Sequence, residues 1–237
     1  MDLIDSTVKR AMIIVAHPDD PEFFCGGTIA CWIKQGIEVS YLILTNGNKG
    51  SKDPNIIPEQ LVAIRENEQR NAANVLGVKE VIFLGENDGE LSYTLQLRQH
   101  VVRELRRFRP QIVITTDPTC YLIYGTRINH ADHRMAGEIA FNAVFPATGS
   151  PMYHPELLAE GLKPHSINCM YLTCTHAPNL QVDITDTCEI KLQAISCHAS
   201  QITNFSQLAE RMRNRNKATD KHGNTIYQEG FRHVTFS

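Results

Sequence analysis

Two short stretches of this 237-residue chain concentrate side chains able to hold a metal ion and to move protons. The first is Ala16-His17-Pro18-Asp19-Asp20; the second is Asn129-His130-Ala131-Asp132-His133-Arg134. Between them they offer three imidazoles and three carboxylates. His17 and Asp20 lie three apart in one turn, and His133 as a third donor closes a two-histidine, one-carboxylate face. Three protein ligands with one position left for water is the ligand count of catalytic rather than structural zinc. Imidazole nitrogen and carboxylate oxygen suit zinc, and ligand type alone also admits iron or manganese. Water activated in this way still needs a base to take its proton, and Asp19, beside a ligand but not required as one, is the candidate. His130 is the candidate to stabilise an oxyanion or protonate a leaving group, with Asp132 orienting its ring. Singly, each residue has a plainer reading as a turn former, a helix cap or a core histidine. Two such clusters, both at strand-to-helix junctions, favour a site.

The elements that must position these turns are legible in outline. The apolar run Ala11-Met12-Ile13-Ile14-Val15 predicts a buried strand over 11–16 ending in the first turn, where Pro18 disfavours helix at His17. A helix is expected from Gly26-Gly27-Thr28 to about Gln35, then a strand over 37–45. Leu61, Ile64, Glu68, Ala72, Val75 and Leu76 recur near the helical period over 59–76. Strands are expected at 81–84, 112–115, 168–175 and 180–184, and helices at 94–108, 132–145, 186–199 and 204–216. This alternation predicts an α/β fold with a mainly parallel sheet, and in such sheets ligands bind at the carboxyl ends of the strands. The loop 117–129 is long enough to suggest a functional purpose. Together with the proline-rich passage 146–165 it is expected to border the site and set substrate length.

Composition excludes several function classes. A net charge of −3 gives no reason to expect nucleic acid, and no apolar run approaches the ~20 residues of a membrane span. The arginines at 103, 106, 107, 109, 211, 213 and 215 read as solvated helix faces. Gly47-Asn48-Lys49-Gly50-Ser51-Lys52 lacks the spacing of a phosphate loop, and no GxGxxG follows the first strand. Seven cysteines with no CxxC pair point to reduced thiols, and the N-terminus shows no signal-peptide pattern; a cytoplasmic protein is expected. Cys25 reads as structural, and His198 as either a support for the site or packing. With no linker or repeat, residues 1–237 are expected to form one domain, with a motif-bearing core over about 11–201 and a helical extension over about 202–237.

The motifs are also specific in order. Ala16-His17-Pro18-Asp19-Asp20, with Glu22 and Gly26-Gly27-Thr28 behind it, resembles the first signature of the PIG-L/LmbE family of zinc-dependent N-deacetylases. Asn129-His130-Ala131-Asp132-His133-Arg134 resembles its second, with Ala131 in place of the usual proline. Arg65, Glu68, Ala72 and Leu76-Gly77 match the family's Arg-x-x-Glu helix; Leu84-Gly85 with Asp88-Gly89 match its next loop; Lys191, Ala194, His198, Ser200 and Gln201 match its closing segment. The resemblance implies Zn2+ held by His17, Asp20 and His133, Asp19 as general base, His130 paired with Asp132 on the tetrahedral intermediate, and Arg65 and Asp88 on sugar hydroxyls. Some relatives carry a tyrosine where this chain has Ile128, and Tyr121 or Tyr124 in the same loop are the candidates to replace it. A homo-oligomer, trimer or hexamer, is implied as well.

The resulting expectation is a single Rossmann-like three-layer α/β/α domain that removes acetyl from an N-acetylglucosamine-type sugar or glycoconjugate, a small-molecule amino-sugar substrate. The reaction class rests on the residues, the sugar on the resemblance. The alternatives are an amidase for another amide-linked sugar or thiol conjugate, and a non-catalytic sugar- or nucleotide-binding module.

Overall fold

A computed structural model describes residues 7–123 and 125–236. Its sheet begins with β1 (Arg10–Val15), whose six-residue run is buried on both faces. Such a run fits the interior of a parallel sheet. Ala11, Ile13 and Val15 face one helical layer; Met12 and Ile14 face the other. Parallel to β1 lie β2 (Glu38–Thr45) on one side and β4 (Ile112–Thr116) on the other. β3 (Glu80–Glu86) pairs with β2, and β7 (Cys169–Thr173) with β4, both in parallel. Two short strands, β5 (Leu122–Ile123) and β6 (Arg127–Ile128), form a separate hairpin within the long loop.

The helices cover both faces. On one lie α1 (Asp20–Lys34), α2 (Pro58–Leu76) and, further along, α6 (Cys188–Ser196); on the other, α3 (Leu95–Phe108) and α4 (Ala131–Asn142). A short helix, α5 (Pro155–Ala159), buries Leu157 in the second layer. Helix α7 (Phe205–Asn216) packs on α6 through Ala209, Met212, Leu192 and Ile195. The expected three-layer α/β/α arrangement with a mainly parallel sheet is therefore present.

Three expectations are corrected. The helix placed from Gly26 starts at Asp20 and is interrupted by a kink at Cys25, so Gly26 opens its second segment. Ile64, expected on the buried stripe of α2, is exposed; Glu68 of that stripe is buried, and so are Arg65 and Gln69, which it did not include. The segment 202–237 is helical only as far as Asn216. Beyond it come β9 (Lys217–Thr219) and β10 (Thr225–Thr235), the latter pairing antiparallel with β7, with β8 (Leu180–Asp183) and with β9. The sheet order is β3-β2-β1-β4-β7-β10-β8. From β1 the chain runs outward to β2 and β3, then returns to β4 on the opposite side. The carboxyl ends of β1 and β4 thus flank the topological switch point, where open α/β sheets bind ligands.

Candidate metal centre and catalytic pocket

The first turn closes on itself at the end of β1. The Asp20 Oδ2 atom accepts the His17 backbone N–H at 2.8 Å, and the Asp20 N–H reaches the His17 carbonyl at 3.3 Å. Asp20 therefore begins α1 with its carboxylate turned back over the turn. That carboxylate faces two imidazoles at once: Oδ2 lies 3.5 Å from His17 Nδ1, and Oδ1 lies 3.1 Å from His133 Nε2.

The second turn starts α4. Asn129 Nδ2 donates to the Cys120 carbonyl at 2.8 Å, which leaves its Oδ1 to accept from His133 Nδ1 at 3.0 Å. With the proton on Nδ1 engaged in this way, the Nε2 lone pair of His133 is directed at the shared centre, as outer partners of metal-binding histidines commonly arrange. The Thr116 hydroxyl at the end of β4 donates to the His133 carbonyl and ties the helix start to the strand.

Donor atoms of His17, Asp20 and His133 all lie within 4.8 Å of one another, as do those of His17, His130 and Asp132. Two imidazoles and a carboxylate, mostly buried and with their outer nitrogens and oxygens already engaged, fit a divalent transition metal. The first set has the carboxylate between both rings and the Asn129 support, so it is the better fit. Burial opposes charge on His17, but Asp132, Asp20 and Asp88 outweigh it and push its pKa up to about 12. Asp20 is held below the usual carboxylate range: burial works against this, and His133 and His17 prevail.

Asp19 is next to these groups and outside the donor sets. Burial raises its pKa to about 6 despite the neighbouring Arg65, whose Nη2 lies 3.3 Å from its Oδ2. Arg65 also donates to the carbonyls of Pro18 (2.7 Å) and Gly47 (3.1 Å) and lies 3.7 Å from Asp88. At Gly47, with φ +64°, a Cβ would overlap this guanidinium. The His130–Asp132 pair is arranged differently from expectation. The Asp132 backbone N–H, not its carboxylate, reaches His130 Nδ1 at 3.2 Å. The Asp132 carboxylate accepts from the N–H groups of Gly89 (2.6 Å) and Leu91 (3.3 Å) and lies 3.2 Å from His17 Nε2. Because His130 Nδ1 is an acceptor, its proton sits on Nε2. Burial and the neighbouring His17 and His133 lower its pKa, favouring the neutral ring.

These groups floor a cavity of about 550 Å³, within the range of small-molecule sites. Its walls include Phe23 and Phe24 of α1, Ile123 and Arg127 of the hairpin, and Arg211 and Arg215 of α7. Arg211 and Arg215 are exposed, as a solvated helix face predicts, and they also border the pocket, while Arg213 pairs with Glu189. Arg106 departs from its solvated reading: it is 2 % exposed and donates to the carbonyls of Ala147, Thr148, Ser150, Tyr153 and His154. The passage 146–165 does not border this cavity. It lines a separate one of about 350 Å³ with Phe236. Tyr121 stacks on the Arg134 guanidinium (4.4 Å), Ile128 is exposed, and Tyr124 lies outside the described residues. Cys25 is a buried free thiol away from the donor sets, and His198 is buried against Glu22.

Gln69 and Glu22 were not assigned roles from the sequence. Gln69 lies on the same helical stripe as Leu61, Arg65 and Ala72, and a polar residue on such a stripe was the available signal.

Known proteins resemble this chain in sequence and in fold. Residues 12–144 match the family model described as PIG-L: GlcNAc-PI de-N-acetylase. A diacetylchitobiose deacetylase from Thermococcus kodakarensis is 41% identical over 194 residues, covering 82% of this chain and 70% of the relative. The N,N'-diacetylchitobiose deacetylase of Pyrococcus horikoshii, solved with an inhibitor, superposes with a TM-score of 0.87 at 33% identity, covering 99% of this chain and 88% of the other. A 4-carboxy-2-hydroxymuconate hydratase from Pseudomonas putida, at 22% identity with a TM-score of 0.79 and 97% coverage of each chain, shares the fold alone. With more than half of the chain matched by the family model and a relative of this identity along most of its length, the chain belongs to the PIG-L family.

Proposed function

We propose that the protein is a metal-dependent deacetylase that hydrolyses the acetamide of an N-acetylglucosamine-type sugar, giving acetate and a free amine. The observation that carries this reading is a partly buried carboxylate, Asp19, left over beside a His17–Asp20–His133 donor set at the floor of a substrate-sized cavity. A binding module needs neither a spare base nor an oxyanion donor.

His17, Asp20 and His133 hold the ion, which we take to be zinc; when bound it supplies Lewis acidity toward the acetyl carbonyl and toward water. Asp19 removes a proton from the attacking water and delivers it to the departing nitrogen, so water adds to the acyl carbon as the C–N bond breaks. His130, with its proton on Nε2, donates to the developing oxyanion. Asp88, facing the cavity, accepts from sugar hydroxyls, and Arg65 holds both Asp88 and Asp19. The related diacetylchitobiose deacetylases support a short N-acetylated oligosaccharide as substrate. All seven cysteines are free thiols, which fits a reducing compartment, and we place the protein in the cytoplasm. No described helix is long and apolar enough to cross a membrane. The same reading includes a homo-oligomer, whose mass light scattering measures.

Amine release from N,N'-diacetylchitobiose by metal-loaded protein tests this. Asp19→Ala is expected to retain metal while losing activity by roughly two orders of magnitude or more. Absence of amine release by the parent from any N-acetylated aminosugar rejects the function; unchanged turnover in the variant removes Asp19 from the mechanism.

A further inference from the structure

Asp19 occupies a backbone conformation that non-glycine residues seldom hold, φ +99° and ψ −32°. Such strain persists only where the surroundings over-determine it, and it concentrates at functional positions. Here the restraint is visible. The peptide group joining Pro18 to Asp19 is gripped at both ends by side chains of α2. Arg65 Nη2 donates to the Pro18 carbonyl at 2.7 Å, and Gln69 Oε1 accepts the Asp19 N–H at 2.7 Å. Arg65 and Gln69 are four residues apart and so project from one face of the helix. The Asp19 carbonyl is engaged too, accepting the N–H groups of Glu22 and Phe23 as α1 begins.

Gln69 is itself fixed. It is fully buried, and its amide nitrogen donates to both Glu22 oxygens at 3.0 and 3.1 Å. Glu22, also fully buried, lies 3.1 Å from His198 Nε2. Glu22 offers only acceptor oxygens, so the Gln69 amide turns its nitrogen to them and presents its oxygen to the Asp19 N–H.

We propose that Gln69, oriented by Glu22, is a positioning residue that clamps the Pro18–Asp19 peptide and thereby keeps the Asp19 carboxylate in its catalytic direction. This rests on the reading of Asp19 as the base. His17 and Asp20 on either side belong to the donor set, so the slack in this turn is concentrated at the clamped peptide. Release of the clamp lets Asp19 relax out of the left-handed region and turns its carboxylate, while the ion's ligands stay in place. A displacement near 1 Å suffices for about a hundredfold loss of rate.

The test uses Gln69→Met, close in volume but without polar atoms, in the full chain loaded with zinc. A ten- to hundredfold fall in kcat is expected, with KM within about twofold and metal content unchanged. In parallel, NMR-resolved exchange of the Asp19 amide is expected to be slow in the parent and fast in the variant. The exchanged pair Gln69→Glu with Glu22→Gln restores an acceptor toward Asp19 and a donor toward residue 69. It is expected to recover kcat to within a few fold of the parent, whereas Gln69→Glu alone is not. An unmoved kcat, an Asp19 amide that stays protected in Gln69→Met, or no recovery in a folded double variant overturns the clamp. If the parent itself releases no amine, the proposed function fails, and amide exchange still decides the clamp.

Discussion

At the scale of single residues, the site separates three carboxylates that lie close together by giving each a different environment. Asp20 is surrounded by imidazoles and stays ionised; Asp132 is tied to two backbone N–H groups and His17; Asp19 is partly buried with less compensation, and its pKa rises to about 6. A pair of titratable groups pushed apart in this way marks an acid–base assignment. The base works only when deprotonated. The logarithm of kcat/KM is therefore expected to fall toward acid with a slope approaching one per pH unit as Asp19 takes up a proton, with the limb at or below about pH 6 because a bound divalent ion favours the carboxylate. A rate profile over the acid range on zinc-loaded protein checks this, and a profile with no acid limb, or one whose limb is unchanged in Asp19→Asn, contradicts it.

At the scale of elements, the accuracy of the centre depends on how closely α4 approaches β4. Gly137 sits on the face of α4 where an added Cβ would overlap the Thr116 carbonyl and press on Pro118 at 3.0 to 3.1 Å. The obstruction is backbone, so the helix must move, and it carries His130, Asp132 and His133 with it. Gly137→Ala is expected to cost about 1–3 kcal/mol of stability, the usual range for overpacking. It is also expected to weaken metal binding well beyond that of a variant equally destabilised elsewhere. Denaturant unfolding combined with a metal titration separates the two effects. Thr116 is the hinge of this arrangement, since its hydroxyl also holds the His133 carbonyl.

At the scale of the whole molecule, β10 completes the sheet and locks both ends of the chain around one buried charge pair. Glu229 on β10 accepts from the N–H groups of Gly27 and Thr28, from the Thr28 hydroxyl, and from Lys191 Nζ at 2.5 Å. Lys191 and Glu229 are almost entirely buried. A buried pair is weak evidence of net stability, but removing one partner leaves the other charged and unpaired. Glu229→Ala is expected to destabilise the protein by about 3–5 kcal/mol, measured by denaturant unfolding. Loss below about 1 kcal/mol would mean that water or another donor replaces the carboxylate.

The residues proposed to bind metal and move protons could be picked out in the sequence because they sit in two compact clusters. Each was recognisable from neighbours a few residues away, and a proline or a helix start placed it at a strand end. The β1–β2–β3 run and the helices between strands were likewise visible, because their apolar periodicities depend only on local spacing. What the sequence did not reveal was set by contacts across the fold. Gln69 reads as an ordinary helix residue until α2 is laid against the Pro18–Asp19 peptide 50 positions earlier. Arg106 looks solvated until the carbonyls of residues 147–154 converge on it, and Arg211 and Arg215, exposed as read, take a place on the pocket wall only through the packing of α7. The alternation within 225–235 was hidden by charged and polar residues, and its place between β7 and β8 depends on pairing partners more than 40 residues away. The chemistry was therefore written in short local patterns, while the orientation of the base, the shape of the pocket and the closing strand were decided by packing, because hydrogen-bond partners far apart in the chain become neighbours only in the folded state.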